Sequence, residues 1–298
     1  MNAIETVARN LLRDRERTSL LSSRLLNYAD ELATALLGYG TLESTDEELE
    51  LSFRDMKELM DTERAKSAFS IVATLTEAET ALLDAEVVRA ITHRAKIATY
   101  LPTLESLDGK CAYFRNAYSD EAFRIFKEYL VSPTVSYTDS PADACREVYT
   151  EAASFAILPI ESSKEGMLTG ILKKIEQYEL SPVLFCDVTL RGNEETMRFG
   201  LYAAAPVLAE NADGLELVFY TDTPKSLSHL VLAASYLGCS MTSCRETGEK
   251  QGFDTTYRLL FTKEKKAPED ALATLRLLLL CAYPHHQLCG LYKTVYKK

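Results

Sequence analysis

The chain has 298 residues, 47% apolar and 26% charged, which is the composition of a globular protein of two or three domains and excludes disordered, collagenous and coiled-coil classes. Its formal charge is −11, from 33 basic and 44 acidic residues, so it lacks the basic surplus that non-specific binding to nucleic acid or anionic membranes requires. Only 12 glycines are present, and none forms a Gly-x-Gly-x-x-Gly or Walker loop, which excludes those nucleotide sites. Residues 1 to about 105 read as helices, because no proline precedes Pro102 and only Gly38 and Gly40 interrupt the first hundred positions. Leu21, Leu25, Tyr28, Leu32 and Ala35 share one stripe that ends at Gly38-Tyr39-Gly40. Thr45 with Glu48, and Thr76 with Glu79, have capping-box spacing and open a second and a third helix, the third running to about Ile97. The region carries 12 basic and 19 acidic residues, which argues against a DNA-binding helix-turn-helix. Arg9, Arg13, Arg17 and Arg24 line one face of the first helix, either as a solvated row beside Asp14 and Glu16 or as an anion site.

From Cys111 the period shortens. Strands are expected at Cys111–Phe114, Thr134–Tyr137, Ser154–Leu158, Val183–Leu190 and Met197–Ala204, with helices at Tyr118–Leu130, Pro141–Val148 and Met167–Tyr178. This alternation predicts an α/β layer with a mainly parallel sheet. Ligands of such sheets sit at the carboxyl ends of strands, where helix N-termini offer free N–H groups. Asn116 to Asp120 and Glu161-Ser162-Ser163 fit those places. Beyond Leu215 come a strand to Thr221, a helix from Ser226 to Leu237, a hairpin of Cys239–Arg245 with Asp254–Thr262, a helix Ala271–Cys281 and a last strand Gln287–Tyr296. That order is βαββαβ, the ferredoxin-like unit. The predicted fold class is thus multidomain α and α/β.

The seven cysteines have no Cys-x-x-Cys spacing and read as reduced, mostly buried thiols of a cytosolic protein. The N-terminus has no apolar signal core, and no apolar run approaches the ~18 residues of a membrane span, so a soluble, cytoplasmic protein without a membrane partner is expected. His285 and His286 beside Tyr283-Pro284 read as a turn. Neither a metal nor a cofactor is expected.

The run Ala112-Tyr113-Phe114-Arg115-Asn116-Ala117-Tyr118-Ser119, then Phe155-Ala156-Ile157-Leu158-Pro159-Ile160-Glu161-Ser162-Ser163, then Thr196-Met197-Arg198-Phe199 resembles the ordered motifs of the prephenate dehydratase family. Leu288-Cys289-Gly290-Leu291-Tyr292 is similar to the close of that family's C-terminal ACT domain. The resemblance covers residues 110 to 298. It implies an all-helical domain over 1–105 (chorismate-mutase-like or dimerising), a periplasmic-binding-like α/β lobe over 110–208 and an ACT-like regulatory domain over 213–298. It further implies a homodimer, and a small-molecule ligand that is prephenate-like or L-phenylalanine.

Several departures bear on activity. The two glycines of the first motif are absent, Ser162 stands where the family has an amide, and Met197 occupies the position of the catalytic threonine. A thioether cannot protonate a departing hydroxyl, and on a strand the adjacent Thr196 faces the other way unless a bulge intervenes. Only 36 residues separate Glu161 from Arg198, too few for the family's second lobe. In the regulatory module the effector motifs fall on Lys225-Ser226-Leu227 and Ser243-Cys244-Arg245-Glu246. The reading is a divergent, non-catalytic protein of ligand sensing or regulation, linked to aromatic amino-acid biosynthesis. The alternative is an active prephenate dehydratase, a carbon-oxygen lyase. For either, Thr196 and Ser162 are the candidate proton donors, while Ser119, Glu161, Ser163 and Arg198 are the substrate-binding candidates. Leu227 and Arg245 are the effector-binding candidates.

Overall fold

A computed structural model describes residues 77–94, 107–207, 211–221, 224–250, 253–283 and 285–297, with short stretches between 29 and 55. The stripe of Leu21, Leu25, Tyr28, Leu32 and Ala35, the caps Thr45 and Thr76, the arginine row from Arg9 to Arg24, and Pro284 lie outside the described residues. Helix α1 spans Glu77–Arg94, and strand β1 Leu107–Phe114 is followed by α2 Ala117–Phe126 and β2 Leu130–Thr138. Next come α3 Pro141–Tyr149, β3 Phe155–Ser162, the two-residue β4 Gly166–Met167, α4 Thr169–Gln177, and the hairpin of β5 Ser181–Thr189 with β6 Thr196–Ala203. The last part contains β7 Gly214–Thr221, α5 Pro224–Tyr236, β8 Cys239–Lys250, β9 Phe253–Lys263, α6 Ala271–Ala282 and β10 His286–Thr294.

Local chemistry sets the helix starts. Asn116 Oδ1 accepts from Ser119 N at 2.9 Å while Ser119 Oγ accepts from Asn116 N at 3.0 Å, a reciprocal capping box that opens α2. Ser140 caps α3 through Asp143 N at 3.2 Å, with Pro141 in the first turn where no N–H is missed.

The strands join in the order β2-β1-β3-β6-β5-β10-β7-β9-β8. β1 runs parallel to β2 and β3, but β6 lies antiparallel between β3 and β5. The sheet is therefore mixed, which corrects the expectation of a mainly parallel one. The connection 190–195 is too short for the crossover that parallel neighbours need, so β5 and β6 close as a hairpin. The segment from β7 to β10 has the expected βαββαβ order, with β7 antiparallel to both β10 and β9.

Alternate residues along the strands feed two cores. Cys111, Tyr113, Ile157, Phe199 and Leu201 meet Ala122, Ile125 and Phe126 of α2 on one face. Ala112, Leu158, Phe185 and Tyr202 meet Cys145 and Val148 of α3, and Leu172 and Ile175 of α4, on the other. Helices thus cover both faces of this part of the sheet.

Compactness divides the chain into two units, each assembled from distant segments: 1–100 with 223–240 and 264–285, and 101–222 with 241–263 and 286–298. In the first, α1 packs against α5 and α6, and Val87, Val88 and Ile91 on α1, Leu230 and Ala233 on α5, and Leu275 and Leu278 on α6 are buried. The second contains nearly all of the sheet, with α2, α3 and α4.

Candidate functional site

The carboxyl end of β1 leads into the capped start of α2, where Ser119 is 2% exposed. Its hydroxyl lies 2.6 Å from Phe114 O as donor and also accepts from Asn116 N. A hydroxyl has one proton, so here it closes the turn and offers none to a ligand. Around it, Tyr113 Oη donates to Asp120 Oδ1 at 3.0 Å, and the Arg115 guanidinium lies 4.8 Å from the Tyr137 ring centre. Burial, reinforced by Asp120, drives the Tyr113 phenol well above its ordinary pKa.

Glu161 and Ser162 belong to β3 itself. Gly166, at φ +73°, turns the chain back so that Glu161 pairs with Met167 and Ser162 with Gly166, and α4 begins only at Thr169. This corrects the expectation that Glu161-Ser162-Ser163 stands at a helix N-terminus. The turn consumes local hydroxyls: Ser162 Oγ donates to Glu195 Oε1 at 2.6 Å and accepts from Lys164 N at 3.1 Å.

Ser163 and Thr196 are brought together, with Ser163 Oγ accepting from Thr196 N at 3.0 Å and Ser163 N donating to Thr196 O at 2.9 Å. The Thr196 hydroxyl shares a 2.7 Å bond with that of Thr189, its register partner on β5. No bulge interrupts this end of the hairpin, and Met197 packs toward the α2 core while Thr196 faces the opposite side. Arg198 is the register neighbour of Glu161 on β3 and Asp187 on β5. Its guanidinium rests 5.4 Å from the Phe185 ring centre, and no ion pair to it is found among the described residues.

Two contributors, Asn193 and Glu195, were not among the expected residues. Tyr118 Oη accepts from Asn193 Nδ2 at 2.6 Å, and Glu195 ties the turn after β3 to the β5–β6 connection. Their partners lie 75 and 33 positions away, beyond the reach of any local spacing signal. Of the effector candidates, Leu227 is half-buried on α5, whereas Arg245 on β8 pairs with Glu176 of α4. Among the described residues, no three His, Cys, Asp or Glu side chains are grouped to hold a metal ion. No described helix is long and apolar enough to cross a membrane.

No family model matches the chain, and no curated protein matches it. Solved structures similar to it include a prephenate dehydratase from Streptococcus mutans, at 17% identity and TM-score 0.49, covering 63% of this chain and 99% of the other. A prephenate dehydratase from Arthrobacter aurescens in complex with L-Phe is 16% identical at TM-score 0.44, with coverages of 62% and 90%. GqqA, described as a quorum-quenching acylase, is 21% identical at TM-score 0.46, with coverages of 62% and 94%.

Proposed function

We propose that this chain is a divergent prephenate-dehydratase-like protein of aromatic amino-acid metabolism that senses or regulates through a small-molecule ligand and does not turn over prephenate. In this reading residues 1–105 form a helical dimerisation or mutase-like domain, 110–208 the dehydratase-like lobe and 213–298 an ACT-like module, in a cytoplasmic homodimer. One observation carries the non-catalytic reading: both expected proton donors are engaged within the fold, Ser162 donating to Glu195 and Thr196 sharing a bond with Thr189, and Ser119 donates to Phe114 O. Dehydration with decarboxylation needs an acid aimed at the departing hydroxyl in a site closed to water. Arg198, with no ion pair among the described residues, is the side chain suited to hold a ligand carboxylate, and Glu161 lies beside it in register.

Incubation of the purified protein with prephenate is expected to yield no phenylpyruvate, and incubation with chorismate no prephenate. Turnover that disappears in Thr196→Val or Arg198→Ala would establish the active dehydratase instead. Calorimetric titration with L-phenylalanine is expected to give heat at millimolar ligand. Its absence, with no thermal shift, would remove phenylalanine as the sensed molecule.

A further inference from the structure

The second unit contains a cleft of about 430 Å³, within the ~300–1,000 Å³ typical of small-molecule sites. Its floor is the face of β10, β7 and β9, and its wall is the end of α4 with the chain entering β5 and the connection from β6 to β7. On the floor stands Arg258, only 7% exposed, whose Nε donates to Glu216 Oε1 at 2.6 Å. A guanidinium has five N–H donors in a planar fork. The described residues supply no other acceptor to this one, so its Nη edge is left to the cleft. Two positions along β9, hence on the same face, Thr256 is 6% exposed and its Oγ1 is buried without a partner. Both residues line the cleft, and Leu180 and Val218 supply apolar wall beside them, Val218 being the register partner of Arg258.

We propose that this cleft binds a small organic carboxylate with an apolar body, its carboxylate taken end-on by the Arg258 Nη groups and its hydrocarbon portion resting on Leu180 and Val218. Glu216 occupies the Nε edge of the fork and leaves the Nη edge with the spacing that suits a bidentate carboxylate. The Thr256 hydroxyl donates a third bond. Of the two acids that line the cleft, Glu176 is paired with Arg245, and Glu179 is exposed to solvent at the rim, where its charge is screened. The inference is independent of the fate of prephenate, because none of Ser119, Glu161, Ser162, Ser163, Thr196 and Arg198 lines the cleft.

Titration of the full chain with benzoate, benzamide and benzylamine, followed by calorimetry or saturation-transfer NMR, tests it. Benzoate is expected to bind with a Kd on the order of 1 mM or tighter, benzamide at least about tenfold more weakly, and benzylamine not at all. Thr256→Val, which removes only a hydroxyl, is expected to weaken benzoate by about two- to tenfold. Arg258→Met alone would strand the buried Glu216 carboxylate, so the paired Arg258→Met/Glu216→Met variant is used, and it is expected to abolish binding. Ala204→Trp, at the exposed rim, blocks the cleft without touching the ion pair and is expected to do the same. No benzoate binding up to about 10 mM, benzylamine matching benzoate, or benzoate binding unchanged in Thr256→Val and Ala204→Trp would each overturn the proposal.

Discussion

Ser119 shows how one residue type supports two readings until its neighbours are known. The Asn116-x-x-Ser119 spacing is itself a capping signal, but the expected carboxylate contact and the cap compete for a single hydroxyl, and the fold spends it on Phe114 O. Ser119→Ala is therefore expected to lower stability by about 1 kcal/mol in urea unfolding, whereas Arg198→Ala, at a partly exposed position without an ion pair, is expected to stay within about 0.5 kcal/mol. Among the charges, Glu121 is held down at about 2 from its ordinary 4.5, chiefly by its bond to Arg124 and, against some burial, by Lys297. Because the folded value is the lower one, its stabilising contribution is complete above about pH 4.5 and is lost as the pH falls toward 2. Glu121→Gln should flatten that part of the stability profile, measured by chemical unfolding across the acid range. None of the cysteines forms a disulfide, and Cys244 is exposed while Cys111 and Cys186 are buried and pushed up to about 12 by that burial. Alkylation of the native protein at mildly alkaline pH, mapped by mass spectrometry, should mark Cys244 first and leave Cys111 and Cys186 unmodified.

The elements themselves were largely legible, since periods of 2 and 3.6 are carried by adjacent side chains. The helix expected at Pro141–Val148 is Pro141–Tyr149, and the strand expected at Leu215–Thr221 is Gly214–Thr221. β4 went unseen because two residues have no period, and with it went the turn that keeps Glu161 and Ser162 in a strand. The β5–β6 hairpin depends on a contact that no pattern announces: Gly200 faces Phe185 in register, and a Cβ there would meet the Tyr202 ring at 2.4 Å and the Phe185 ring at 2.8 Å. Gly200→Ala should cost roughly 1–3 kcal/mol through overpacking, visible as a lower Tm. Phe185→Ala should cost about 3–5 kcal/mol, because that ring also packs against Tyr292, 4.7 Å away between centres.

Across the second unit, β10 lies parallel beside β5, with Thr294 opposite Phe185 and Val295 N donating to Phe185 O at 2.7 Å. The outer side of the β5–β6 hairpin is thus completed by the end of the chain, and Tyr292 and Val295 enter the cores of the α/β layer. Residues 110–208 produced alone are expected to lack a stable fold, since the unpaired β5 edge and the bared Phe185 favour association. Amide NMR dispersion and sedimentation would check this against the full chain. Composition and periodicity were enough to determine a helix over 77–94, an alternating α/β middle and a βαββαβ close, because each depends on neighbours within a few positions. Tertiary structure alone decided that β6 runs antiparallel between β3 and β5, that one sheet joins the middle to the close, and that the Ser162 hydroxyl is taken by Glu195. The pairing of β3 with β6, the pairing of β5 with β10 and the Ser162–Glu195 bond rest on partners tens of residues or more apart, as in Phe185 with Val295, which only the folded chain brings within bonding distance.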